Sequence, residues 1–283
     1  MTKEIMNAMT VDVEDYFHVS AFENVIKAND WDSLPLRVEH NTYRLLELFS
    51  QHDIKSTFFV LGWVAKRCPA LIKAIVEQGH ELASHGYSHQ RAIGMTPAQF
   101  RDDVSRSKSE LEQASGKAII GYRAPSFSVN DSNTWIYEIL VDLGFKYSSS
   151  TYPIEHDLYG VPSWPRFVYQ RDEGIIEIPV PTIRKNDKNT GIGGGGYFRL
   201  YPYWLSKKRI DNYLKTEKQP YSFYFHPWEI DPAQPKVAGA SLKSKLRHYL
   251  NLAQMEGKIV RLLEDYQWDT MENVYLKSAN QEK

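Results

Sequence analysis

Short apolar runs alternate with amphipathic stretches along almost the whole chain, and that alternation limits the possible folds more than any other feature. "MNAMTVDV" reads as a strand, and "RVEHNTYRLLELFSQHD" then carries Val38, Leu45, Leu46 and Phe49 at helical spacing. "STFFVLG" returns to strand. "PALIKAIVEQG" is amphipathic and stops at Gly79, because glycine enters the left-handed conformation without a Cβ clash. "HELASH" is the third strand. Thr96 and Pro97 open a long, polar-rich helix with Gln99 in the reciprocal capping position. The strand "AIIGYRAP", the helix "SNTWIYEILVDLG" and the strands "FKYSSS" and "IIEIPVPT" follow. The helix "YWLSKKRIDNYLK", the strand "YSFYFHPW" and one long terminal helix over "SLKSKLRHYLNLAQMEGKIVRLLEDY" complete the series. Strands and helices alternating at this spacing require a parallel sheet, built as an open doubly wound sheet or as a barrel.

With 283 residues, 42% of them hydrophobic, the chain can bury the core of one large α/β domain or two small ones. Lys+Arg at 34 against Asp+Glu at 35 leaves a formal charge of -1, so no global basic field recruits nucleic acid. The single cysteine, Cys68, forms no intrachain disulfide and precedes Pro69 at a helix start. "MTKEIMNAMTVDVEDYFH" lacks the apolar core of a leader, and no stretch approaches the roughly 20 apolar residues of a membrane span. The expectation is a cytoplasmic protein with at most peripheral contact at the inner membrane face.

Placed on these elements, the chemically capable side chains gather at one edge. Asp12 and Glu14 end the first strand, His85 the third, Arg123 the fourth and His226 the last. In a parallel α/β barrel the C-terminal strand edge is the catalytic face, because the βα-loops meet there from strands distant in sequence. "HGYSH" adds His89 four positions after His85. Two neutral imidazoles and one carboxylate would leave a divalent ion an open position, as catalytic sites do, whereas a closed structural site would use a fourth protein ligand. A second carboxylate can then serve as general base, Arg123 can orient it, and His226 can protonate a leaving group. The set amounts to a hydrolase.

These residues carry a resemblance to the metal-dependent polysaccharide deacetylases, a carbohydrate esterase family. Those enzymes open with T-F-D-D where this chain has "TVDVED", carry H-[ST]-x-x-H where it has "HGYSH", then R-x-P, here "RAP", and a strand ending hydrophobic-hydrophobic-His, here "YFH". The motifs run from Asp12 to His226 and so cover most of the chain. "VDVEDYFHVSAFE", "YFHPWE" and the extended C-terminus resemble the branch found beside bacterial exopolysaccharide biosynthesis genes.

The resemblance implies a distorted (β/α) barrel of about seven parallel strands, often incomplete. It implies one divalent ion, zinc first and cobalt, nickel or manganese after it, and hydrolysis of an N-acetyl group from an amino sugar in a polysaccharide or lipid-linked oligosaccharide. Residues 1–283 would form a single deacetylase domain, with 231–283 a helical extension packed on the barrel. A backbone N–H just after the first strand would help hold the oxyanion.

Two departures from the family pattern matter. Gly86 stands where the family has Ser or Thr, and Ser88 is the available replacement for that hydroxyl. The acid pair is spread as Asp12-Val13-Glu14-Asp15. Side chains alternate along a strand, so Asp12 and Glu14 face one way and Asp15 the other. Asp12 is therefore assigned as base and Glu14 as ligand beside His85 and His89, with Asp15 as rival ligand or as a cap. Tyr122, Pro125, Trp164, Tyr197 and Trp228 are the candidates for the substrate-cleft wall.

"GIGGGG" formally matches a dinucleotide-binding glycine pattern, but the polar "RKNDKNT" separates it from the preceding strand, and a mobile cleft-edge loop is the expectation. "KSKLRH" reads as a solvated face. Hydrolysis of another linear or cyclic amide, and a non-catalytic carbohydrate-binding relic, are the competing functions. Acetate release would separate the first reading from both.

Overall fold

The computed structural model describes residues 5–156 and 160–277. In chain order the elements are β1 (Met6–Val13), α1 (Val38–Gln51), β2 (Thr57–Val60), α2 (Gly62–Arg67), α3 (Pro69–Glu77), β3 (Glu81–Ser84), α4 (Pro97–Ser115), β4 (Gly121–Tyr122), α5 (Ile136–Asp142) and β5 (Tyr147–Ser148). Then come β6 (Tyr169–Gln170), β7 (Ile176–Glu177), β8 (Thr182–Lys185), β9 (Lys188–Gly191), α6 (Gly195–Leu200), α7 (Tyr203–Glu217), β10 (Ser222–Phe225), α8 (Leu242–Tyr249), α9 (Leu252–Asp265) and β11 (Gln267–Asp269).

The main sheet runs β10-β1-β2-β3-β4-β5-β7-β6, with β11 added beside β1. All pairings are parallel except β6 with β7, so seven strands form the parallel path of a curled, open half-barrel. Registry levels the strand ends. Val13 pairs with Val60, Val60 with Ser84, Ser84 with Tyr122 and Tyr122 with Ser148, while Val11 pairs with Phe225. The residues that follow these pairs, Glu14, His85, Arg123, Ser149 and His226, therefore emerge on one edge.

At the opposite edge a buried amide fastens β1. Asn7 Nδ2 donates to Ile5 O and Gln267 O, and its Oδ1 accepts from Tyr221 N, so one side chain links β1 to the chain at β10 and β11. The N-terminus of α4 has the expected capping pair, Gln99 N donating to Thr96 Oγ1 and Thr96 N to Gln99 Oε1.

Three expectations change. The terminal helix is broken into α8 and α9 at Asn251, whose φ of 55° ends the helical path. The 231–283 segment is not only helical, because β11 joins the main sheet, and residues 278–283 lie outside the described ones. The polar "RKNDKNT", expected only as a spacer before the glycine run, is most of a β8–β9 hairpin turning through Asn186 and Asp187, both at positive φ, as a tight two-residue hairpin turn requires.

His80, before β3, supplies a pH test of this fold. Its Nδ1 accepts from Ser56 N at 3.2 Å, its ring packs edge-on against Phe58, and burial, reinforced by Lys55, pushes it down to about 4. The unfolded chain then binds more protons than the folded one, so stability should fall as pH drops from about 6.5 to about 4 and stop falling below that. Urea unfolding should show His80→Gln losing a slope of up to roughly 1.4 kcal/mol per pH unit in that window.

Candidate active site

β1 delivers two carboxylates to two different tasks. Asp12 Oδ1 accepts from Arg123 Nη1 at 2.6 Å, and the same Nη1 donates to Thr10 Oγ1 at 2.9 Å. Arg123 also donates through Nε to Ser149 O and through Nη2 to Ser149 Oγ, and its guanidinium lies 4.0 Å from the Phe59 ring centroid. Both Asp12 and Arg123 are buried. Asp12 is thus held in one orientation by a fixed cation.

Glu14 faces the histidines. Its ligand atom lies within 4.8 Å of those of His85 and His89, and these three residues form the one such His/Cys/Asp/Glu group among the described residues. His85 Nδ1 contacts the Arg123 carbonyl at 2.9 Å; a carbonyl only accepts, so this nitrogen carries the proton and Nε2 keeps its lone pair. Burial pushes His85 down to about 4, which keeps the ring neutral. Glu14 Oε2 lies 2.7 Å from His89 Nε2 but makes no hydrogen bond of ordinary geometry. Burial opposes ionisation of Glu14, yet His89 and His226 outweigh it and hold the carboxyl well below its usual range. A buried, ionised carboxylate and two imidazoles converging without saturating one another fit a divalent cation.

Asp15 points away from the histidines. Its Oδ2 accepts from Arg37 N at 2.6 Å and Val38 N at 2.7 Å, at the start of α1, and its Oδ1 accepts from Tyr16 N. The alternation of side chains along β1 extends one residue past its end, so Glu14 and Asp15 face opposite ways.

The HGYSH turn is braced from α4. Asp103 accepts from Tyr87 N at 2.7 Å, Ser88 N at 3.0 Å and Ser88 Oγ at 2.5 Å, so Ser88 does supply a bracing hydroxyl. Gly86 has φ of 75°, and a Cβ there would stand 2.9 Å from the Asp103 carboxylate, so a Ser or Thr would strain the backbone and displace the group that braces the turn. His89 itself sits at φ of 52°. Asp103 carries no motif signal in the sequence, since it lies 14 residues beyond the turn it holds.

His226 approaches from β10. Its Nε2 lies 3.0 Å from Glu14 Oε1 and its Nδ1 2.8 Å from Glu229 Oε1, while Glu229 Oε2 accepts from Arg199 Nε at 2.6 Å. Burial disfavours a charge on His226, but Glu14 and Glu229 outweigh it and raise the imidazolium to about 10. Arg199 and Glu229 were not assigned from sequence. The glycine run explains part of their packing: a Cβ on Gly195 would lie 2.1 Å from a Glu229 oxygen, and one on Gly194, at φ of 98°, 2.5 Å from the Tyr224 ring. Gly194 and Gly195 are therefore close-packed against Tyr224 of β10 and Glu229, where an open loop is the expectation from sequence.

Near the triad, His18 Nδ1 accepts from Asp15 N at 2.8 Å, which places the proton on Nε2 and bars that nitrogen from ligating a metal. The amides of Glu14, Asp15, Tyr16 and His18 are engaged locally, so of this turn only the Phe17 N–H has no hydrogen bond among the described residues to keep it from the expected oxyanion role.

The proposed cleft residues disperse. Tyr122 is 1% exposed with its ring between Phe100 and Phe145, a core position. Trp164 donates its indole N–H to Asp131, Tyr197 stacks on Tyr201, and Pro125 is buried near Gly86. Trp228 alone touches the site, stacked 5.2 Å from His226. A cavity of about 400 Å³ opens instead beside His89, walled by Phe17, His18, Ile26, Trp31 and Arg91. The aromatic wall thus comes from the segment after β1.

A curled parallel half-barrel carries on its C-terminal edge a His/His/carboxylate cluster whose donor atoms can hold a divalent ion, and the comparisons with known proteins bear on the same scaffold. Residues 28–148 match the family model described as polysaccharide deacetylase, and residues 149–276 match one described as a domain of unknown function (DUF3473). The peptidoglycan deacetylase of Helicobacter pylori is 31% identical over 173 residues, 60% of this chain and 58% of that protein, so the chain spans little more than half of that relative. A Mycobacterium smegmatis structure assigned to the polysaccharide deacetylases superposes with a TM-score of 0.66 at 20% identity, covering 100% of this chain and 92% of that one. A Bacillus anthracis pseudoenzyme of carbohydrate esterase family 4 superposes with a TM-score of 0.51 at 15% identity, covering 97% and 66%. The chain thus divides into a first part similar to the polysaccharide deacetylases and a second part that matches the DUF3473 model.

Elemental analysis of purified protein should find about one divalent ion per chain, lost in Glu14→Ala, His85→Ala and His89→Ala. Asp15→Ala should keep the ion and instead lose about 1–2 kcal/mol of stability with the α1 cap. Asp103→Asn turns an amide N–H toward groups that themselves donate. Competition with a chelator should show its metal affinity about 10–100-fold weaker, the size expected when support of a ligand is lost.

Proposed function

We propose that the protein hydrolyses the N-acetyl group of an amino sugar in a polysaccharide or lipid-linked oligosaccharide, releasing acetate. The observation that carries this reading is the division of labour around Glu14. One carboxylate converges with two histidines, a second is held apart by a buried arginine, and a third histidine approaches from the far side with its own carboxylate support. A pseudoenzyme of this scaffold has been solved in Bacillus anthracis. Here base, ligands and acid are all present, which argues against a binding relic.

A divalent ion on Glu14, His85 and His89, zinc in this reading, supplies Lewis acidity toward the acyl oxygen and a nucleophilic water near neutral pH. Asp12, oriented by Arg123, takes the proton of the attacking water. His226 donates from the opposite side to the departing amine, and Glu229, backed by Arg199, holds its ring for that transfer. Phe17 N–H is the donor offered to the oxyanion. The aromatic wall of Phe17 and Trp31 suits the apolar face of a sugar. The reading further places the protein in exopolysaccharide biosynthesis, on the cytoplasmic side of the membrane.

Asp12→Asn and His226→Ala should retain the ion yet lose roughly 10²–10⁴-fold in turnover, measured as acetate released from N-acetylated oligosaccharides. Glu229→Gln should lower kcat with KM little changed. Opening of a cyclic imide by the wild type, without acetate release from any N-acetyl sugar, would replace this function with that of a different amide hydrolase.

A further inference from the structure

The outward face of α8 has an unusual composition. Leu242 and Leu246, one turn apart, are 87% and 65% exposed, and Lys243 and Arg247 form the next exposed row. His248 is the helix's buried residue and faces the other way, stacked 4.2 Å from the Trp228 ring. No Asp or Glu occurs from Pro232 to Met255, while Lys236, Lys243, Lys245 and Arg247 all do. The flanking acids are spoken for: Asp231 pairs with Arg37, and Glu256 with Arg44. Among the described residues none of these four cations forms an ion pair with a carboxylate. In a chain of net charge -1 this is a local cationic surface carrying two bare leucines.

The surface adjoins the cavity beside His89. Phe22 packs against His248 and Tyr249, with ring centroids at 4.6 and 6.1 Å, and Val25, itself 39% exposed, lies against Gly239. The segment bearing Phe22 and Val25 also supplies Ser20, Glu23, Ile26 and Lys27 to the cavity wall. One short stretch of chain therefore backs α8 and lines the cavity.

We propose that this face of α8 docks on an anionic phospholipid bilayer and presents the cavity mouth to the headgroup layer. Leucines flanked by unpaired cations suit the interface, where apolar side chains enter the acyl boundary and Lys and Arg meet lipid phosphates. At 8 residues α8 lies on the membrane and does not span it. Two leucines fall well short of the roughly 1,000 Å² that a stable protein interface buries, so a second copy fits poorly. Docking itself is independent of the deacetylase reading; the corollary, that the substrate glycan is membrane-bound, rests on it.

The test is sedimentation of the full chain with phosphatidylcholine vesicles and with equimolar phosphatidylcholine and phosphatidylglycerol vesicles. The protein should pellet with the anionic vesicles alone, and less so as salt rises. Leu242→Ser/Leu246→Ser and Lys243→Gln/Lys245→Gln/Arg247→Gln should each weaken partitioning about tenfold or more, with circular dichroism unchanged. The leucine variant should release acetate from a soluble N-acetylated oligosaccharide at the wild-type rate. Failure to bind anionic vesicles at low salt, or binding that neither variant alters, overturns the proposal. A dimer in sedimentation velocity that the leucine variant dissociates, without vesicle binding, overturns it in favour of a second copy. A wild type that binds vesicles but releases no acetate leaves the docking intact and counts against the deacetylase function alone.

Discussion

The buried Arg123 guanidinium is the interaction on which the candidate site depends. Its side chain joins β1 to the end of β5 through Asp12, Thr10 and Ser149, and its carbonyl fixes the His85 tautomer. One residue therefore sets both the orientation of the Asp12 carboxylate and the lone pair of His85. A buried cation is tolerated only when fully paired, and removing one partner typically costs about 3–5 kcal/mol because the other charge is left uncompensated. The neighbouring phenylalanine rings add cation–π contact but no hydrogen bond. Position 123 consequently joins stability and chemistry in a way that the more exposed His226 does not.

The second half of the chain completes what the first half begins. The boundary between the two family matches falls just after β5, yet β7 continues the sheet from β5, and β10 closes onto β1. His226, with Glu229 and Arg199 behind it, lies wholly in the DUF3473 region. Arg199 also donates to the carbonyls of Arg247, His248 and Leu250, and Lys258 reaches the carbonyls of Phe198, Arg199 and Tyr201. The end of α8, the middle of α9 and the glycine-led α6 are thereby fastened behind His226. This gives a physical reason for a C-terminal region that contributes few residues to the reacting edge.

Much of the edge was legible because it depends on local pattern. Period-two and helical spacings identified the parallel strands, and strand ends place polar side chains on a common edge whatever the loops do. Alternation put Glu14 on the face of the histidines and Asp15 on the other, where the amides of Arg37 and Val38 hold it. What sequence could not supply were partners brought together by tertiary packing. Asp103 braces a turn from the next helix, and Arg199 meets Glu229 from 30 residues away; neither spacing has a periodic signature. Tyr122 was misjudged because its neighbour Arg123 faces the site while the pleat sends Tyr122 to the opposite layer. The glycine run looked mobile because composition reports conformational freedom and not the Tyr224 and Glu229 atoms that occupy the space a side chain would need.

The central claim is that β1 separates its acids by role, Glu14 to the ion and Asp12 to the proton. The most direct test is an anomalous-difference map from crystals of protein loaded with zinc or cobalt, collected on either side of the metal edge. The account predicts a single peak within ligating distance of Glu14, His85 and His89, with Asp12 still paired to Arg123 and Asp15 still capping α1. A peak bound by Asp12 or Asp15 in place of Glu14, or none at this edge, would contradict it.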